Sequence, residues 1–197
     1  MNLTYREFWD WFLKNEGKFR RADAVNVVAK IQRQLSKINA RLAAEVSIES
    51  DPRELVITAH GDQHAFPSAM ELGRSAPVLP DWTIQILKPA RGFEFSFERH
   101  GVEIDARKLQ FDPITSASIP DSLGIRVYVP DISQPDEQLL AQVSVIVETG
   151  IGEDSASRIE HLEVAPAPPP DAGALSLDKL GAYIQWWDRK RNAEYRR

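Results

Sequence analysis

The sequence predicts an α+β fold: a mainly antiparallel sheet with helices packed on one face, plus a C-terminal helix after a Pro-rich linker. Three observations carry this reading. Two amphipathic helical stretches come before any strand pattern. Short runs of alternating apolar and polar residues follow, the cleanest being Phe93-Glu94-Phe95-Ser96-Phe97-Glu98, which is the period of a strand with one buried face. The runs succeed one another through turns, without the helix after every strand that a Rossmann-like sheet requires. The predicted organisation is one α+β domain over residues 1–164, a linker over 165–175, and a helix over 176–197 that docks on the domain or on a partner subunit.

Composition sets the limits. The 197 residues are 43% hydrophobic and 27% charged, as in an ordinary globular chain. A domain of this length buries about 70% of the surface its unfolded chain exposes, so it needs neither metal nor disulfide to fold. There is no cysteine; thiolate chemistry is excluded, any zinc site would rest on His and carboxylates, and a reducing cytoplasm is the expected place. The start, MNLTYREFWDWF, lacks the basic flank and aliphatic core of a signal peptide. No apolar run approaches the ~20 residues of a membrane span. A net charge of −5 argues against nucleic acid or anionic membrane as the main partner. Locally the balance reverses: from Asp188 to Arg197 five Arg and Lys oppose two acids, which suits a helix C-terminus and also an acidic partner.

Thr4-Tyr5-Arg6-Glu7 has the spacing of a capping box. Tyr5, Phe8, Trp9 and Phe12 then share a helical face, with Trp11 off that stripe and available to a partner. Asp23 caps a second helix, in which Val28, Ile31, Leu35, Ile38 and Leu42 repeat at steps of three and four. Val46 and Ile48, a turn at Asp51-Pro52, then Leu55, Ile57 and Ala59 read as a hairpin. A short helix over Ser68 to Arg74 precedes a strand carrying Trp82, Ile84 and Ile86. The Phe93 strand turns at Arg99-His100-Gly101 into Val102 to Ile104, and Ile125, Val127 and Val129 form another strand. A helix begins near Ser133-Gln134-Pro135-Asp136 and carries Leu139, Leu140, Val143, Ile146 and Val147; a last strand falls within Arg158 to Val164. The tract APAPPP is extended, and Ser176 opens a final helix with Leu177, Leu180, Tyr183, Ile184 and Trp187 on one face. The two strand-rich segments, each around a central helix, allow a degenerate duplication.

Few residues carry chemistry by pattern. His60, Asp62 and His64, were the backbone extended there, would share one side and supply a metal with two imidazoles and a carboxylate. Gly61 argues instead for a turn. Gly150-Ile151-Gly152 is half a dinucleotide fingerprint, but too few residues follow for the second strand, so the pair is expected to stop a helix. Glu94, Glu98, Glu103 and Asp105 read as the wet face of strands, with Arg107 and Lys108 near enough to neutralise them. There is no G-x-S-x-G and no P-loop.

The segment ITAHG…FPSAMELGRSAPVLPDWTIQILKPARG, with the later GIGE, resembles in outline small uncharacterised bacterial proteins that share an I-T-A-x-G strand end, an A-P-x-L-x-x-W pattern and a K-P strand end. The resemblance covers about half the chain, implies a bacterial cytoplasmic protein, and transfers no functional residue. The functional expectation is a non-catalytic protein-interaction or regulatory module without a cofactor. Its contacts would be Trp11, Trp82 and Trp186, and its partner a protein, with a homodimer also compatible. The alternatives are a small-ligand-binding domain with its pocket near Trp82, and a metal-dependent hydrolase built on His60, Asp62 and His64.

Overall fold

A computed structural model describes residues 3–47, 49–99, 101–114, 122–132, 134–169 and 173–194. The fold is α+β, and the chain divides into two compact units, Met1–Pro89 and Ala90–Arg197.

In the first unit α1 (Tyr5–Phe19) opens with the predicted capping box: the Glu7 N–H donates to Thr4 Oγ1 at 3.2 Å and the Thr4 N–H to Glu7 Oε2 at 2.8 Å. Phe8, Trp9, Phe12 and Phe19 are its buried face. Asp23 caps α2 (Ala24–Ile38), accepting from the Asn26 N–H at 3.0 Å. The buried positions of α2 are Val27, Ile31 and Leu35, with Leu42 just beyond it. Val28 and Ile38 sit at the half-buried margins of the same stripe, because an apolar arc is wider than one line of residues. Strands β1 (Ala43–Ser47) and β2 (Arg53–Thr58) form the antiparallel hairpin, and α3 (Phe66–Arg74) leads to β3 (Trp82–Ile86), parallel to β2. All three helices bury residues in one core with Leu55 and Ile57 of the central strand.

The second unit begins with a two-stranded hairpin, β4 (Ser96–Arg99) and β5 (Val102–Asp105). Next come β6 (Gln110–Ile114), β7 (Gly124–Tyr128), α4 (Glu137–Ile151), the single-turn α5 (Glu153–Ala156), β8 (His161–Ala165), β9 (Leu175–Ser176) and α6 (Leu180–Glu194). The larger sheet has the order β8-β7-β6-β9. Ile125 and Val127 of β7 face a core filled from α4 by Leu139, Val143 and Ile146 and from the C-terminal segment by Leu177, Leu180 and Ile184. The pairing order repeats between units: β1-β2-α3-β3 and β6-β7-α4-β8 are each an antiparallel pair followed by a helix and a parallel strand.

Several expectations change. The Phe93 strand is shorter than its alternation suggests. Phe93 is buried and Phe95 half-buried, but ladder pairing starts only at Ser96. Just upstream, the Phe95 carbonyl still accepts from the Ala106 N–H at 3.0 Å, but Arg91 and Gly92 donate to the Thr149 and Gly150 carbonyls at 2.9 and 3.1 Å. Helix α4 is capped by Asp136, whose Oδ1 accepts from the Leu139 N–H at 2.7 Å; Ser133 lies outside the described residues, as do Ile48 and His100. Gly152, at φ 81°, stops α4 as expected. Strand β6 had no periodic signature because Pro113 interrupts it. Proline is tolerated there because, among the described residues, β9 pairs only with Gln110 and Phe111 and no strand pairs with Pro113 on that side. The segment between Ala165 and Leu175 leaves β8 and enters β9, so the linker is tied to the sheet at both ends.

Gly150 is where α4 meets the Phe93 ring: a Cβ there would lie 2.1 Å from Phe93 Cε1. Gly150→Ala is expected to cost about 1–3 kcal/mol through overpacking, read as a lower urea midpoint at unchanged m-value.

Candidate functional site

The aromatic content of the C-terminal helix divides into a docked face and a wet one. Leu177, Leu180 and Ile184 are 0–2% exposed and fix the orientation of α6. Tyr183 stands edge-on to Phe111 at 5.7 Å between ring centroids, bridging core and surface. Trp186 follows three residues later and is 48% exposed, its ring tilted against Tyr183 at 5.5 Å. One turn on, Lys190 Nζ lies 5.5 Å from the Trp186 ring centroid, and Arg191 is 5.1 Å from that of Trp187. Such contacts are worth about 0.5–1 kcal/mol at exposed sites and hold the rings in place. The acid of this stretch, Asp188, is engaged by Arg158 at 2.6 Å. Tyr183, Trp186, Arg189 and Lys190 therefore present aromatic surface and positive charge on one exposed side.

The other two tryptophans expected at contacts lie elsewhere. Trp82 is 4% exposed, edge-on to Phe12 at 5.2 Å, with its Nε1 buried and without a hydrogen-bond partner among the described residues. Trp11 is half-buried and packs on Phe8 and Phe19 at 5.9 and 5.5 Å. Both belong to one aromatic cluster of the first core, through Phe12 and Phe19. Trp186 is a surface residue of the second unit.

The His60 turn is not extended. His60 has φ 52° and Gly61 φ 78°, so the alternation that would have aligned His60, Asp62 and His64 ends with β2. Asp62 Oδ2 accepts from Arg41 at 2.7 Å and Oδ1 from the His64 N–H at 3.0 Å. Burial works against the Asp62 charge, but the His64 N–H and the Arg41 guanidinium outweigh it and hold the carboxyl below the ordinary aspartate value. Among the described residues no three His, Cys, Asp or Glu side chains are grouped to hold a metal ion. The turn that Gly61 suggested is an Asx-type turn with an ion pair, not the extended backbone that the metal alternative required.

Sequence reasoning missed a connected polar cluster. On the second sheet, Asp112, Arg126 and Tyr128, His161 and Glu163 share the face opposite the core, as their register dictates. The Tyr128 hydroxyl donates to Asp112 Oδ2 at 2.7 Å, Arg126 Nε donates to Glu163 Oε2 at 2.9 Å, and His161 Nε2 lies 2.9 Å from Glu163 Oε1. Burial, then the Asp112 contact, pushes the Tyr128 hydroxyl up. The His161 and Arg126 contacts hold Glu163 below the usual carboxylate value. Each acid is already satisfied by a neighbour, so the cluster ties strands together. Only the strand register could have shown it, since its members are scattered over fifty residues of sequence. On the hairpin, Arg107 Nε and the Asp105 carboxylate lie 2.8 Å apart, as the sequence suggested.

Set against protein-family models, curated proteins and solved structures, the chain matches none. Among the described residues no helix is long and apolar enough to cross a membrane.

Two outcomes follow from the polar ladder. Tyr128→Phe removes a buried donor and is expected to cost about 1 kcal/mol, measured by chemical denaturation. Glu163 contributes stability above its ordinary pKa of 4.5, which is lost as pH falls through its lower folded value. Carboxyl-carbon NMR should place Glu163 below 4.5 in the native protein and higher in Arg126→Gln.

Proposed function

We propose that the protein is a non-catalytic interaction module, and that the exposed side of α6 is its contact surface for an acidic segment of a partner protein. The observation that carries this is the posture of Trp186. It is a large ring left about half exposed, yet held between Tyr183 and Lys190. Tryptophan anchors recur at binding hot spots because they offer much apolar area for few rotatable bonds. The cations beside it set the sign of the partner. Arg189 and Lys190 are exposed, and the neighbouring acid Asp188 is neutralised by Arg158. Such an arrangement fits an acidic strand or helix that lays an apolar residue on Trp186, its association quickened by charge and weakened by salt.

The test uses the intact protein as bait alongside Trp186→Ala and Lys190→Glu, both surface changes that leave the core of α6 untouched. The expected result is an acidic protein retained by the native chain and lost with either variant. Its affinity should fall at least about tenfold on Trp186→Ala, equivalent to ~1.4 kcal/mol. A partner retained equally by all three proteins, or one whose affinity does not fall as salt rises, refutes the proposal.

A further inference from the structure

A second charged surface lies on the first unit. Along the C-terminal half of α1, Lys14 and Lys18 are one turn apart, and Arg21 follows just past the helix end, its N–H donating to the Lys18 carbonyl at 3.2 Å. With Gly17 and Ala22 these cations line an open depression of about 520 Å³. All three are exposed. Many other cations of the chain close ion pairs: Arg20 with Asp81, Arg41 with Asp62 and Lys88 with Glu45 at 2.7–2.9 Å. Lys14, Lys18 and Arg21 close none with the described residues, although Asp10 and Glu16 share their helix and acids outnumber bases by 29 to 24.

Cations near a helix C-terminus ordinarily answer the negative end of the macrodipole. Here that end is already answered from the sheet, because Arg53 of β2 donates to the Phe19 and Ala22 carbonyls. The floor of the depression is the other anomaly. Gly17 is the least favourable residue for a helix interior short of proline, and packing does not demand it: a Cβ at Gly17 would meet nothing within 4 Å. A glycine that its own fold does not require leaves the backbone open between the three cations.

We infer that Lys14, Lys18 and Arg21 form a binding site for a compact polyphosphate chain on a small molecule, with Gly17 as the floor that lets the anion approach the helix. The depression is open to solvent, so an anion there is held by charge and hydrogen bonds rather than by enclosure. Two ammonium groups and a guanidinium supply charge and a bidentate fork to successive phosphates. The site is independent of α6 and does not rest on the proposed partner surface.

The experiment is calorimetric titration of the full chain with inorganic tripolyphosphate at about 50 mM salt, where screening is weak. It is repeated on Gly17→Ala, on the triple replacement of Lys14, Lys18 and Arg21 by alanine, and on Lys190→Glu. The expected result is one saturable site, weakened at least tenfold in the triple variant and unaltered in Lys190→Glu. Gly17→Ala should melt at a higher temperature, as alanine favours helix, and yet bind more weakly. Circular dichroism checks that each variant is folded. Unchanged affinity in either the triple variant or Gly17→Ala overturns the assignment. So does tripolyphosphate binding no tighter than orthophosphate, or a preference for single-stranded RNA or phosphatidylserine vesicles over the free anion.

Discussion

Strand parity is the constraint on which the rest of the molecule depends. Leu55 and Ile57 in the first sheet, and Ile125 and Val127 in the second, are fully buried against helices. Side chains alternate across a strand, so burying those residues sends Arg126 and Tyr128 to the opposite face and sets them beside Asp112 and Glu163. In the second sheet a slip of one residue would exchange the two faces, exposing the apolar set and burying charge, whereas β2 of the first buries Val56 and Thr58 as well. The same order of antiparallel pair, helix and parallel strand satisfies this constraint in both units, with helices collected on one side of each sheet.

The two units treat aromatic residues differently. In the first, Phe8, Phe12, Phe19 and Trp82 interlock inside the core, with Trp11 partly covered beside them. In the second, Leu177, Leu180 and Ile184 are enough to dock α6, and Tyr183 and Trp186 continue outward from Phe111 to solvent. Burial of large rings needs no further explanation. A half-exposed ring under a cation is a different case, since the fold does not gain from leaving it wet. The proposed contact surface rests on that contrast.

Charge follows a comparable division. Three carboxylates close ion pairs: Asp105 with Arg107 close by in sequence, Asp62 with Arg41 at the turn after β2, and Glu163 with Arg126 across paired strands. These pairs are partly exposed and individually worth little to stability. The cations on the exposed side of α6, and Lys14, Lys18 and Arg21 in the first unit, stand outside these pairs among the described residues.

Local signals determined much of the secondary structure by themselves. The Thr4 box, the Asp23 cap, the β1–β2 hairpin, the Gly152 stop and the docked face of α6 are all set within a few residues of sequence, where capping bonds and side-chain period act. Tertiary structure decided what local pattern could not. The Phe93 run kept its alternating burial but lost three positions of pairing, because Arg91 and Gly92 bond to the end of α4. Strand β6 exists despite Pro113 because its neighbour β9 is short. Trp82, expected at a contact surface, lies inside the first core, edge-on to Phe12. Periodicity shows which side of an element is apolar; which partner covers that side, and which charges meet across strands, is set only when distant segments come into register.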